Sequence, residues 1–504
     1  MKKNKLNILT FCTVLTAGLF SCQTDKLELK SQTSMPSDLV FTTPSRVEQQ
    51  VNGLYDAVKD GDFMGSRYLI YSDIRGEEFI NRLTNGVTGL QTWNHTENSS
   101  TNEVNNLWRS AYQAINQANV FLKGLDDNAA LFVPPTFAAT FATTTVDQYR
   151  GEARLLRGMS YYYLLQLYAK PFVEGGGNRG LPLRLQAEVN FDNNLLESSS
   201  VADVYAQIIA DLDFAEQKLP LVPAAANRGH RNAAIAFKTR VYLTMQRWAD
   251  VITEANKIVP ATAPFKAGSG VAHALAPKFA DVFTAPYTTV ESILSFPFTT
   301  LDPPGGQNQL GYYYLPTTAN TTTENKGNGE YYLNRKGILG DTTTMSVQDD
   351  RRKLTRKIII KNAAGVKTDS TYYLTKFSSA SPYTDSSPVI RYAEVLLNLS
   401  EALVRSTNSV DSHALDLLNA VRTRSAGTAY AGFADADAMI TALLKERRAE
   451  FLGEGLRSSD CMRLDLPLQG KGSIQALLPT DNIYVWPLPQ SELAVNPDVD
   501  KIKP

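Results

Sequence analysis

Residues 232–259 read NAAIAFKTRVYLTMQRWADVITEANKIV, and this stretch decides the fold class. Three alanines fall within its first five residues, Tyr242 follows, and Trp248 opens the second half. Small side chains that face aromatic rings across a tight turn are typical of tetratricopeptide helix pairs. The stretch therefore predicts two helices, 232–245 and 248–259, that pack against each other.

Helical periodicity continues on both sides of this pair. The clearest example begins at Ser200, where Asp203 three residues later completes a capping-box signature, and it ends before Pro220. Short connections between such segments favour antiparallel neighbours. The sequence therefore predicts a mainly α, tetratricopeptide-like array of helix pairs. Beside the first pair, helices are expected from about residue 45 onward and at 105–125, 148–169, 200–219, 389–405, 412–424 and 435–452.

The character of the sequence changes between residues 261 and 388. Pro303-Pro304-Gly305-Gly306 and a background rich in Thr and Ser are typical of turns and loops. Short strand-like runs occur at 293–298, 357–360 and 371–377. A long irregular region inside a compact protein is usually functional. We expect a loop-rich lobe with short strands, inserted among the helices, and an extended chain from residue 482 onward.

The N-terminal residues resemble a bacterial lipoprotein signal. Lysines at the start and an apolar run up to Phe20 are typical of a secretory signal peptide. The run is too short for a membrane-spanning helix, which needs roughly 20 residues. Leu19-Phe20-Ser21-Cys22 resembles a lipobox, so we expect cleavage before Cys22 and a lipid on Cys22 that anchors the chain outside the cytoplasm. A plain signal peptide with an incidental Cys is the alternative.

These patterns predict five segments. They are a signal peptide (1–21), a lipidated N-terminus and flexible tether (22–43), an N-terminal helical region (44–260), the inserted lobe (261–388), and a C-terminal helical region with an extended tail (389–504).

Composition argues against several classes of function. A net charge of −1 provides no basic face for nucleic acid. The four histidines are scattered without metal-ligand spacing, and neither a nucleophile elbow nor a phosphate-binding loop is present. We therefore predict no catalytic residues, no metal, no cofactor and no enzyme activity. The carboxylates of a glycosidase would be close in space rather than in sequence, so a surface hydrolase stays the last-ranked alternative.

Several segments, taken in order, resemble the SusD/RagB family of outer-membrane lipoproteins from Bacteroidetes. Beside the lipobox they are VNGLY at 51–55, WRSAY at 108–112, GEARLLR at 151–157, GLPL at 180–183, RYAEVLLN at 391–398, ERRAEF at 446–451 and EGLR at 454–457. The resemblance implies a helical fold with tetratricopeptide-like pairs and a location in the outer membrane at the cell surface. It also implies a TonB-dependent, SusC-like transporter as partner, over which the protein sits as a lid.

Charged residues in these segments have two interpretations. Glu152, Arg154 and Arg157 share one helix, and Glu446 and Glu450 lie one turn apart on another. They could form a substrate clamp, or ion pairs that tie helices together. The second interpretation is favoured, because nothing else reactive lies near them in sequence.

A site for sugars needs aromatic platforms together with polar side chains that hydrogen-bond hydroxyl groups. Two regions supply both, 72–93 and the inserted lobe, and the resemblance favours the same two regions. The candidate ligand-binding residues are Asp73, Asn81, Arg82, Trp93, Tyr287, Tyr312, Tyr313, Tyr314 and Tyr331.

Three hypotheses follow for the ligand. The first is an oligosaccharide on a platform formed by Trp93 and one or more tyrosines from 312–314; the alternative is that Trp93 packs in the core and the tyrosines cover the surface or contact the transporter. The second is a peptide, as the RagB branch implies. The third is a scaffold that stabilises a transporter complex without binding nutrient.

Overall fold

The computed structural model describes residues 39–190 and 192–503. The expected signal peptide, the lipidated Cys22 and most of the tether lie outside the described residues. The fold is mostly helical, with 45% helix and 8% strand. None of the helices in the described part of the chain is long and apolar enough to cross a membrane.

The elements of the described chain are numbered from the N-terminus. The helices are α1 (Pro44–Val58), α2 (Arg67–Ile74), α3 (Leu90–Asn94), α4 (Asn102–Asp127), α5 (Val146–Tyr168), α6 (Val201–Lys218), α7 (Arg231–Thr244), α8 (Trp248–Ala255), α9 (Leu310–Tyr314), α10 (Tyr392–Thr407), α11 (Ser412–Ala426), α12 (Ala436–Glu450), α13 (Arg457–Met462) and α14 (Gln490–Val495). The strands are β1 (Phe79–Asn81), β2 (Ser292–Phe296), β3 (Tyr331–Leu333), β4 (Thr355–Lys361), β5 (Lys367–Leu374) and β6 (Ser387–Arg391).

The predicted helix pair is confirmed as α7 and α8, joined by a three-residue turn. The predicted cap on α6 is confirmed too, since the Ser200 hydroxyl accepts a hydrogen bond from the Asp203 amide at 3.1 Å. Helices that follow one another in sequence pack together: α4 contacts α5, α5 contacts α6, and α6 contacts α7. In addition, α8 contacts α10. Gly158 in α5 permits one close approach, because a Cβ there would lie 3.3 Å from the Cβ of Asp211 in α6.

Two predictions about elements are wrong. A helix over 389–405 was expected to begin at Val389, but Ser387–Arg391 forms strand β6 and the helix begins at Tyr392. β6 pairs antiparallel with β2, which buries Val389 and Ile390. The C-terminal segment is not extended throughout, because Gln490–Val495 forms α14.

The small sheets lie mainly in the lobe region. One sheet has four strands in the order β1-β3-β5-β4, and the other pairs β2 with β6. Strand β1 comes from the N-terminal part of the chain, about 250 residues before its partner β3. The lobe is thereby joined to the helices through its own sheet.

The C-terminal segment closes against the N-terminal helices. Trp486 is fully buried, and its ring centroid lies 5.6 Å from that of Tyr71 and 5.5 Å from that of Tyr168. Its indole Nε1 donates to Oε1 of Glu97 at 2.8 Å, and its backbone amide donates to the Leu167 carbonyl at 2.7 Å. One continuous hydrophobic core therefore contains residues from both ends of the described chain.

Candidate ligand-binding site

The two regions that the sequence singles out meet at one sheet. β1 and β3 pair antiparallel, with Ile80 opposite Tyr332 and Asn81 opposite Tyr331. The backbone amide of Arg82 donates to the Glu330 carbonyl at 2.8 Å, and its Nε donates to the Gly329 carbonyl at 2.7 Å. Region 72–93 and the lobe therefore form one surface, as a shared ligand site requires.

The register of β3 decides which tyrosine is available. Because side chains alternate along a strand, Tyr331 and Leu333 face the core and Tyr332 faces outward. Tyr332 is half-buried, and its ring centroid lies 6.2 Å from that of Tyr373 on β5. The candidate Tyr331 is fully buried, and its hydroxyl donates to the Thr88 carbonyl at 2.9 Å.

A cleft of about 810 Å³ opens beside this surface. Ile80 and Tyr332 line it, together with residues 469–475 of a hairpin formed by residues 468–477. Exposed polar side chains ring the cleft: Arg335, Lys336, Asp369, Gln469, Ser473 and Gln475. The cleft thus combines an aromatic ring with amide, hydroxyl and charged groups, which is the combination that a sugar needs.

A buried lysine anchors the hairpin. Leu468 and Leu477 exchange two backbone hydrogen bonds of 2.9 Å. Between them, Lys471 turns inward and its Nζ donates to the Arg75 carbonyl at 2.8 Å. Burial lowers the pKa of the Lys471 ammonium to about 7. These contacts fix the wall of the cleft against α2 and the segment after it.

Trp93 lies beneath this hairpin rather than in the cleft. Its side chain is 9% exposed, and its Nε1 donates to the Phe79 carbonyl at 2.9 Å. A Cβ on Gly472 would stand 3.6 Å from the edge of its ring. This position agrees with the alternative that Trp93 packs in the core.

Three further candidates are also core residues. Tyr313 and Tyr314 are fully buried; the Tyr313 hydroxyl donates to the Gln307 carbonyl at 2.8 Å. Asp73 is 2% exposed and accepts hydrogen bonds from the amides of Gly455 and Arg457. Burial raises the pKa of Asp73 to about 7. The polar atoms of these three side chains lie inside the protein, and their contact with a ligand stays a prediction.

The remaining candidates lie at the surface. Arg82 is exposed, Asn81 is half-buried, and Tyr287 and Tyr312 are half-buried. Tyr312 packs edge-on against Tyr383 with 6.3 Å between ring centroids, and the Tyr287 hydroxyl lies 2.7 Å from Oγ of Ser379. Tyr287, Tyr312 and Tyr383 define a second aromatic surface, which we call the tyrosine face.

Sequence reasoning placed Tyr332 beside Tyr331 in the lobe but chose Tyr331 as the candidate, and it missed Tyr383 and the hairpin. Tyr332 could have been separated from Tyr331 only by knowing the strand register. The hairpin carries one local signal, the run Gln469-Gly470-Lys471-Gly472-Ser473, which is typical of a polar turn.

Two histidines that the sequence leaves isolated come together in the structure. Nε2 of His230 lies 3.0 Å from Nε2 of His273, away from the cleft. Within residues 39–190 and 192–503, no three His, Cys, Asp or Glu side chains are grouped so that they could hold a metal ion.

Comparison with known proteins identifies the family. Residues 25–243 match a SusD-like family model described as starch-binding and associating with the outer membrane, and residues 359–476 match the SusD family model. A SusD superfamily protein from Bacteroides fragilis, known from its crystal structure, is 30% identical, with 92% of this chain and 100% of that chain covered and a TM-score of 0.77. The chain belongs to the SusD/RagB family.

Two other relatives are more distant. SusD-like protein P2 of Formosa agariphila is 24% identical over 550 residues, which cover 98% of each chain. A laminarin-binding SusD-like protein of known structure is 20% identical, with a TM-score of 0.68 over 92% of this chain and 99% of its own. At that identity the second likeness shows the fold alone.

Proposed function

We propose that the protein binds an oligosaccharide in the cleft beside Tyr332, without chemical turnover, and delivers it to a membrane transporter. The observation that carries the proposal is the pairing of β1 with β3, which presents Tyr332 next to a ring of polar side chains. Membership in a family described as starch-binding, and a structural neighbour named for laminarin, support a glycan over a peptide.

The chemistry of the cleft supports the same class of ligand. Sugar rings offer apolar C–H faces that stack on an aromatic ring, and their hydroxyl groups pair with amides. Tyr332 provides the ring, and Gln469 and Gln475 provide exposed amides that line the same cleft. The volume of about 810 Å³ lies within the range of small-molecule sites.

The first prediction concerns Tyr332. Replacing Tyr332 with Ala removes the stacking surface, so we expect the affinity for the cognate oligosaccharide to fall about tenfold or more, which corresponds to roughly 1.4 kcal/mol. Titration calorimetry of the purified mature protein with a panel of neutral glucan oligosaccharides, including laminarin fragments, measures this change.

Tyr372→Ala is the matched control. Tyr372 pairs with Leu333, so its ring lies on the face of the sheet opposite to Tyr332 and outside the cleft. We expect the control to bind like the wild type. Equal affinity of wild type and Tyr332→Ala, with a loss in Tyr312→Ala instead, would assign binding to the tyrosine face and refute the cleft. Release of shortened glycan by the protein would refute binding without turnover.

The location and the partner belong to the same proposal. A lipid on Cys22, followed by a tether, would hold the helical body at the outer membrane, where the family description places its members. A SusC-like transporter beneath it would receive the ligand when the body, acting as a lid, closes. Mass spectrometry of ligands in the natively purified complex separates glycan from peptide cargo.

A further inference from the structure

Within the described part of the chain, one charged residue of the GEARLLR segment, Arg154, forms no close ion pair with a carboxylate. Glu152 accepts hydrogen bonds from Arg228 at 2.5 and 2.8 Å and from the Tyr55 hydroxyl at 2.7 Å. Arg157 donates to both carboxylate oxygens of Asp211, at 2.8 and 2.7 Å. These two residues tie helices together. Arg154, between them in sequence, does not.

Arg154 lies at a groove of about 980 Å³ lined by residues of α4, α5, α6 and the loop at 185–187. The other basic residues of the groove have close carboxylate partners: Lys123 with Asp127 at 2.7 Å, Arg150 with Asp126 at 2.5 Å, and Lys218 with Asp147 at 2.7 Å. For Arg154, the one carboxylate within 4 Å in the described chain is Asp211, at 3.9 Å, which is too long for a hydrogen bond. Since Asp211 is already engaged by Arg157, the groove retains an excess positive charge at Arg154.

The guanidinium of Arg154 is held in place by an aromatic ring. Its Cζ stands 4.2 Å from the ring centroid of Phe214, and its side chain is 35% exposed. A guanidinium fixed on a ring loses little freedom when its fork of N–H groups binds a carboxylate or sulfate. Gln186 and Gln207 also line the groove and can hydrogen-bond hydroxyl groups.

We propose that this groove is a second carbohydrate site, separate from the cleft at Tyr332, that takes an acidic sugar through Arg154. The shared chemistry is a planar or tetrahedral oxyanion on a hydroxylated ring: a uronic acid carboxylate or a sulfate ester. The amides of Gln186 and Gln207 favour an acidic sugar over a simple ion, because they can hydrogen-bond the hydroxyl groups beside the acidic group. The carbohydrate character of the ligand rests on the proposed function; the anion contact rests on the groove itself.

The test uses the purified mature protein and three probes: an oligogalacturonate, a sulfated galactan oligosaccharide and a neutral glucan oligosaccharide. We expect the wild type to bind at least one acidic probe. Arg154→Gln keeps the stem over Phe214 and removes the charge, so its affinity for that probe should fall about tenfold or more. Arg154→Lys keeps the charge but loses the forked N–H donors of the guanidinium. Its affinity should lie between that of the wild type and that of Arg154→Gln. Binding should weaken as salt is added.

Arg150→Gln is the matched control, because Arg150 lines the same groove but is already paired with Asp126. We expect less than a twofold change for it. An equal loss in both variants would indicate a general charge effect and overturn the assignment to Arg154, as would unchanged binding in Arg154→Gln or no binding of either acidic probe. A response to one acidic probe alone identifies carboxylate or sulfate as the ligand. Binding of the neutral probe to Tyr332→Ala tests the cleft separately. The proposal for the cleft and the proposal for the groove can therefore be refuted independently.

Discussion

Ten ionic side chains form a connected cluster inside the protein, and we call it the ion cluster. Arg351 pairs with Glu446, Arg424 pairs with Glu450, and Arg391 contacts Glu450 at 3.1 Å. Its five cations balance its five carboxylates. The members are Glu291, Asp349, Arg351, Lys376, Arg391, Arg422, Arg424, Glu446, Glu450 and Glu454.

The ion cluster confirms that Glu446 and Glu450 tie elements together. Glu446 joins α12 to the lobe through Arg351 and to α11 through Arg422. Burial alone would raise the pKa of Glu450, but Arg424, Arg391 and Arg351 lower it to about 2. The carboxylate therefore stays ionised, and its charge is compensated within the protein.

We expect Arg391→Met to destabilise the fold strongly. Arg391 is 2% exposed and contacts Glu291, Glu450 and Glu454, so its loss leaves buried negative charge uncompensated. Breaking a buried pair from one side typically costs about 3–5 kcal/mol. Urea denaturation followed by circular dichroism measures the loss.

Arg335→Met provides the comparison, because Arg335 and Asp369 form an ion pair with 64% and 63% of their side chains exposed. Such a pair contributes about 0–1 kcal/mol. Similar stability of the two variants would show that the ion cluster contributes no more than a surface pair.

At the scale of elements, a histidine pair joins the start of α7 to the loop before β2. His230 precedes α7, and His273 lies in the loop, with 3.0 Å between the two Nε2 atoms. Each Nδ1 lies near a backbone carbonyl, that of Arg228 for His230 and that of Val290 for His273. Burial and the neighbouring His273 lower the pKa of His230 to about 4, and burial lowers the pKa of His273.

This pair predicts a loss of stability in acid. Between pH 6.5 and about 4 the unfolded chain binds protons at these histidines that the folded protein does not bind, so the free energy of unfolding decreases as the pH falls. His273→Gln removes one titrating ring whose pKa burial lowers, and we expect the difference in stability between pH 7.5 and 4.5 to shrink. Denaturation at the two pH values measures it. An unchanged difference in His273→Gln would contradict the prediction.

The helices could be predicted from sequence because their period is local, and α6 to α8 appear close to the expected bounds. Strands β1 and β3 could not, since each has three residues and finds its partner far away in the chain. The same limit applies to the site. The two ligand regions were identified from their composition, but whether Tyr331 or Tyr332 faces outward depends on a register that one segment does not contain.

At the scale of the whole molecule, the last prediction concerns the lipid anchor predicted at Cys22. Cys22→Ala removes the predicted lipid acceptor, so we expect the protein to be lost from the outer membrane and uptake of its glycan to stop. The purified variant should still bind glycan with wild-type affinity, because Cys22 lies far along the chain from every residue of the cleft. Cell fractionation and growth on the glycan measure the two effects. Normal growth with a released protein would contradict the need for an anchor.

The burial of Trp486 against α2 and α5 has a consequence for the order in which the hydrophobic core forms. An indole near the end of the chain fills the space between helices made hundreds of residues earlier, and contacts of such separation form slowly. A chain that crosses a membrane N-terminus first keeps this space open until its last segment emerges. If the protein is exported as its N-terminal residues predict, this part of the core can close only after Trp486 has crossed the membrane.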